Sequence, residues 1–222
     1  MKNLSEILSP FAGDRLVEWF ADLTLLWHET EAIKPDDIVS PKGLSRWLHY
    51  NNYVLWHLED QARRTDVADD VIVRCKREID RHNQQRNDAI ENIDAWIGTV
   101  LASAGIEPGE EVELNSETPG SIIDRLSIAS LKIYHMERQT DRKKAGREHR
   151  ALAARRLEVL KEQSSDLAAA LNRLLLDLKQ AKKRHKIYRQ YKMYNDPRFN
   201  PALNPPPGPH SRPEEPIVPN RR

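Results

Sequence analysis

The sequence predicts an all-α fold, an antiparallel bundle of about five long helices followed by a proline-rich C-terminal tail. Three observations carry this. Long stretches repeat apolar residues at spacings of three and four, no stretch alternates β-branched with polar residues, and only eight of 222 residues are glycine. An apolar fraction of 39% beside 31% charged residues suits amphipathic helices that each give one face to a shared core. A chain of this length buries one sizeable core, so residues 1–195 read as a single helical domain and 196–222 as an extended or disordered tail.

The first helix is expected from Asp14 to Ala32, where Leu16, Trp19, Phe20, Leu23, Leu26 and Trp27 recur at helical spacing behind Asp14 as a cap. It closes on His28, Glu29 and Glu31. A histidine beside acids suggests a metal site, but at a helix C-terminus it also complements the dipole, and the dipole is the preferred reading. Ser40 and Pro41 start the second helix, a hydroxyl cap followed by proline at the first helical position, and the pattern continues to Arg64. Acids between Asp66 and Asp70 cap the third helix, which runs to Ala104 and stops at Gly105. The stretch from Ile106 to Thr118 lacks an apolar period and reads as a loop. Thr118-Pro119-Gly120-Ser121 opens the fourth helix, with Ile122, Ile123, Leu126 and Leu131 on its apolar surface. From Arg138 to Arg150 the chain is heavily charged with Gly146 as its breaker, and it fits a loop or a continuous helix equally. Beyond it Leu157, Leu160, Leu167, Leu171, Leu174 and Leu178, with Ser164 and Ala181 in the gaps, keep the spacing of a coiled-coil seam. Its partner is a helix of the same chain or a second copy in a homo-oligomer.

A formal net charge of +1 argues against a chain that binds polyanions with its whole surface. Seven of the fourteen residues from Lys179 to Lys192 are Lys or Arg, with Tyr188, Tyr191 and Tyr194 interleaved or adjacent. That is a composition for phosphate or nucleic acid, and a solvated basic helix end is preferred to nucleic acid here. The single cysteine, Cys75, excludes an intramolecular disulfide and reads as a packed thiol in a reducing compartment. Neither a signal-like N-terminus nor a membrane span is evident, so a cytoplasmic location is expected. From Pro197 onward nine prolines oppose helix and sheet alike.

Candidate site residues come from polar intrusions into helices that should be greasy. On the third helix Asp80, Asn83, Asn87, Glu91 and Asp94 share one face beside the apolar stripe of Ile79, Ile90, Ile93 and Ile97. Short acids and amides lose little entropy when fixed and ligate cations, so Asp80, Glu91 and Asp94 are the expected ligands of Mg²⁺ or another hard cation. On the second helix Asn52, Glu59, Asp60 and Arg63 repeat the pattern, and an antiparallel second and third helix would enclose a pocket between the two faces, with Asp80 nearest Glu59 or Arg63. On the fourth helix Asp124, Lys132 and His135 lie near Ser121, whose first-turn amides could hold an anion. Together these point to a phosphate-bearing small molecule such as a nucleotide or nucleotide sugar. The competing reading is a non-catalytic protein that docks a partner through the leucine seam and the basic end.

Three blocks in order, NNYVLWHLEDQAR with KREIDRHNQQRNDAIENID, then SETPGSIIDRLSIASLKIYHM, then YRQYKMYNDPRFNP, resemble the bacterial family catalogued as domain of unknown function 4254, over about residues 15 to 204. The resemblance implies an all-helical protein without an established activity, and an association with cell-envelope polysaccharide or glycosyltransferase genes. It supplies no catalytic residue. Glu91 and Asp94 also look like half of the paired-acid pattern of all-α nucleoside-triphosphate pyrophosphatases. The other half departs, because the second helix offers His57, Glu59 and Asp60 in its place.

Overall fold

Five long helices form where the apolar period is sustained, and side-chain caps from the preceding residue open two of them. A computed structural model describes residues 3–191, 193 and 196–203 of the chain. A short helix, α1 (Leu4–Leu8), leads through a 3-10 turn at Ser9–Phe11 into α2 (Gly13–Glu29), and α3 (Pro41–Ala62), α4 (Asp69–Ser103), α5 (Pro119–Thr140) and α6 (Arg147–Lys179) follow. Ser40 caps α3 by accepting from the Gly43 amide at 3.0 Å, and Thr118 with Ser121 makes a reciprocal cap at the start of α5. Gly105 ends α4 in the left-handed region, at a φ of 74°, which a side chain would strain. The charged stretch after α5 breaks at Asp141, and Gly146 precedes the first residue of α6.

The Asp14 cap is a correction. α2 starts one residue earlier, and the Gly13 amide donates at 2.7 Å to the side chain of Asn172 on α6. A cap supplied from a distant helix leaves no local signal, and Asp14 sits in the first turn, where its charge suits the dipole.

Direction within the bundle matters for the site. α2, α3 and α5 run one way: Thr24 meets His49 and Ser130, and further along His28 meets His57 and His135. α4 and α6 run against them, as the pairs Asn51 with His82, Arg86 with Asp124, and Gly13 with Asn172 show. The core joins Phe11, Leu16, Phe20, Leu48, Ile93, Ile97, Ile123, Leu126 and Leu171, each almost completely buried. The leucine seam closes inside the chain, with α6 packed on α5 and α2. Leu157, Leu167, Leu171, Leu174 and Leu178 are buried, Leu160 is half-buried, and Ala181 falls past the helix end at a φ of 51°.

The loop before α5 is partly tied down. Glu113–Leu114 pairs in parallel with Lys183–Arg184, and the Arg184 guanidinium donates to the carbonyls of Val112 (2.8 Å) and Glu110 (3.0 Å). Acid opposite base selects this contact, with Lys183 at 3.5 Å from Glu113. The basic stretch is therefore not a helix end: only Lys179 belongs to α6. The chain divides into two compact units, residues 1–188 and 189–222. In the second, Arg198 pairs with Asp196 at 2.7 Å within a run of turns. Lys192, Tyr194 and most of the tail expectation lie outside the described residues.

Candidate metal centre

The parallel course of α2, α3 and α5 places polar residues of three helices in one buried row. Thr24 spends its proton on the Phe20 carbonyl (2.7 Å), so it accepts from His49 Nε2 (3.0 Å), and His49 Nδ1 then accepts from the Ser127 hydroxyl (2.9 Å). Asn52 donates one amide hydrogen to Ser127 and the other to Asp124, each at 2.9 Å. Arg86 clamps Asp124 through Nε and Nη2 at 2.8 and 2.5 Å. Every buried charge in this row is paired, the condition under which such networks persist. Burial holds the His49 pKa down at about 3, against the Phe20 backbone, which favours the charged ring.

Further along the same helices the row ends in three imidazoles, His28 on α2, His57 on α3 and His135 on α5. One ligand nitrogen from each lies within 4.8 Å of the other two. The Nε2 atoms of all three are buried and have no hydrogen-bond partner. An unpaired buried polar atom costs about 1 to 3 kcal/mol, so three in one cluster need an explanation. His28 Nδ1 is 2.7 Å from the Thr24 carbonyl, which can only accept; the proton therefore sits on Nδ1, and Nε2 carries the lone pair. The rings are held by stacking: Tyr134 on His28 at 4.0 Å and Trp56 on His135 at 4.6 Å with 6° between planes. Tyr53 lies against His57 and is fixed by its own hydroxyl, which donates to the Trp27 carbonyl at 2.6 Å.

Burial lowers the pKa of His57, and the neighbouring His28 adds to this; Asp60 pulls the other way. His135 is pushed down to about 4, first by burial and then by His28 and His57, again against Asp60. Both rings are thus neutral near pH 7, with lone pairs available to a metal. Donors of a tetrahedral zinc lie about 3.3 Å apart, so the imidazoles need to close by about 1.5 Å at most.

Two cavities flank the cluster. A recess of about 370 Å³ between α3, α4 and α5 is lined by Asn52, Trp56, Glu59, Asp60, Arg63, Asn83 and Arg86. A groove of about 750 Å³ between α2, α5 and α6 has an apolar floor and acids such as Glu18, Asp22 and Asp141 along its sides. The larger space holds none of the three histidines, and it meets the cluster only through Tyr134.

The recess brings together five of the residues that sequence singled out: Asn52, Glu59, Asp60, Arg63 and Asn83. Asp124 stands behind it, bound to Asn52 and Arg86, and Arg86 is a lining residue that the sequence reading missed. The rest is corrected. Asp80 pairs with Lys76 of its own helix, and Arg63 pairs with Glu59 at 2.8 Å, so Asp80 meets neither Glu59 nor Arg63. On one straight helix Asp80 lies about 16 Å from Glu91 and about 21 Å from Asp94 along the axis, so Asp80, Glu91 and Asp94 cannot share an ion. Asp94 is buried and accepts from the Gly120 amide at 2.7 Å, and Ser121 donates its amide to Thr118. The protein's own groups thus take the α5 amides that were expected to hold an anion. Asn87 and Glu91 lie beyond the recess lining, and Lys132 is exposed. His135 keeps its place as a candidate, whereas His28 and His57 join it from outside the expected set.

Residues 43–187 match the family described as "Protein of unknown function (DUF4254)", and the chain belongs to it. His57, His135 and the whole recess fall inside the matched segment, and His28 precedes it. No curated protein and no solved structure matches the chain.

Proposed function

We propose that this DUF4254 member binds a divalent first-row transition-metal ion of the Zn²⁺ class through His28, His57 and His135. The observation that carries the reading is a cluster of three imidazoles, one nitrogen of each within 4.8 Å of the others, whose Nε2 atoms are all buried without a partner. Three nitrogens from three helices, one with its Nδ1 hydrogen donated to a backbone carbonyl, suit Zn²⁺, Co²⁺ or Ni²⁺ and not the oxygen-seeking Mg²⁺. Competition against a chromophoric chelator tests this. Metal-stripped protein is expected to take up one Zn²⁺ per chain and to gain about 2.7 kcal/mol of stability once free ion reaches a hundred times its dissociation constant. His57→Ala and His135→Ala abolish both effects. A wild type that takes no ion, or variants that keep full stoichiometry, would overturn the reading.

The recess beside the cluster is the place for a small-molecule partner. Its amides and guanidiniums would meet the phosphates and hydroxyls of a nucleotide or nucleotide sugar. Arg63 is the cation free to change partners, because an exposed pair within one helix such as Arg63 with Glu59 is worth only a few tenths of a kcal/mol. Thermal-shift measurements with nucleotides and nucleotide sugars, on wild type and Asn83→Leu, should show shifts that the variant loses. Shifts of equal size in both would place any ligand elsewhere.

A further inference from the structure

We infer that Asp60 supplies the fourth donor to the ion held by His28, His57 and His135, closing it as a four-coordinate centre of three nitrogens and one oxygen. This rests on the metal reading above and assigns the position that the histidines leave open. Asp60 follows His57 by three residues on α3, the spacing at which two side chains of one helix reach a single ion from adjacent turns. Its carboxylate has no hydrogen bond or ion pair among the described residues. The other acids of this region are engaged, Glu59 by Arg63 at 2.8 Å and Asp124 by Arg86 at 2.5 Å.

Position agrees with spacing. Asp60 shares the recess wall with Trp56, whose indole lies flat on His135. The group within 4.8 Å comprises the three imidazoles alone, so the Asp60 carboxylate has to turn towards them to reach a shared ion. Three neutral imidazoles would leave a buried dication uncompensated, and one carboxylate removes half of that charge. The cavities are lined by Trp56 and Tyr134, the rings that cover His135 and His28, and not by the imidazoles themselves. With Asp60 as the fourth donor the ion has four protein ligands, and such a centre ties helices together and does not activate water.

Cobalt spectroscopy on the full metal-stripped chain tests the assignment. Wild type with Co²⁺ is expected to give intense visible bands of tetrahedral type that stay constant from about pH 6.5 to 9, because no bound water ionises. Asp60→Asn should bind Co²⁺ at least about tenfold more weakly and acquire bands that shift with pH as water enters. Its metal-free melting temperature should equal that of wild type, since the carboxylate is exposed and unpaired, and this separates loss of a ligand from loss of the fold. Wild-type bands that titrate, or an Asp60→Asn protein with wild-type affinity and spectrum, would overturn the fourth donor and leave the three-histidine site standing. Failure of wild type to bind Co²⁺ any better than His57→Ala would overturn both.

Discussion

His49 lies between the rings of Phe20 (4.6 Å) and Trp27 (5.1 Å), with both nitrogens engaged by hydroxyls. A second ring proton would face the Ser127 hydroxyl, which is already oriented as a donor. The unfolded chain takes up that proton below about pH 6.5 while the folded chain, with a pKa of about 3, does not. The contribution of His49 is therefore complete above pH 6.5 and is lost as pH falls towards 3, at a slope of about 1.4 kcal/mol per pH unit. His57 and His135 are shifted in the same direction and steepen the loss. Urea unfolding of metal-free protein at pH 7 and pH 5 should show a lower midpoint at the acid value. His49→Gln should be less stable at pH 7 yet show a shallower pH dependence, and equal dependence in the two proteins would mean that His49 titrates normally. Individual side chains were the least legible part of this molecule. His28 lies in the last turn of α2, where the dipole alone accounts for a histidine, and nothing local distinguishes that role from a ligand's.

Helices, by contrast, were legible because their period and caps are local. Ser40-Pro41 and Thr118-Pro119 each open a helix at the expected residue. The seam of α6 follows from spacing alone, and Leu171, with no exposed surface, should lose about 2 to 5 kcal/mol on truncation to Ala in equilibrium unfolding. Leu176, 39% exposed on the same helix, should lose less than about 1 kcal/mol, and similar costs for both would show that the seam is not the packed face. Contacts between elements were hidden. At the crossing of α4 and α5 a Cβ on Gly120 would come within 2.5 Å of the Ile90 carbonyl oxygen, a backbone atom with little room to yield. Gly120→Ala should therefore cost about 1 to 3 kcal/mol by forcing the helices apart. Asp94→Ala, which orphans the Gly120 amide, should cost about 1 to 2 kcal/mol. A face of acids and amides on α4 thus reads in sequence as a ligand site, although Asp94 serves the start of the next helix.

Taken whole, the bundle has an arrangement that no single segment displays. α2, α3 and α5 run parallel, and each carries two polar steps: Thr24 and His28, His49 and His57, Ser127 and His135. In register these make a satisfied layer at one level and three unpartnered imidazoles at the next. The sequence shows the six residues on three separate helices, but their register depends on the crossover at residues 30–40 and on α4 running back between α3 and α5. Both are consequences of packing. The two layers also share an atom group, since the Thr24 carbonyl holds His28 while its hydroxyl holds His49. Metal at the outer layer should for that reason stiffen the ends of these three helices and not the bundle evenly. Hydrogen exchange on metal-stripped and Zn²⁺-loaded protein is expected to show slower amides over residues 24–29, 53–62 and 130–138 with the ion bound, while 157–178 of α6 exchange as before. Protection spread uniformly over all helices would indicate stabilisation of the global fold by a site elsewhere, and no change at 24–29 would remove His28 from the centre.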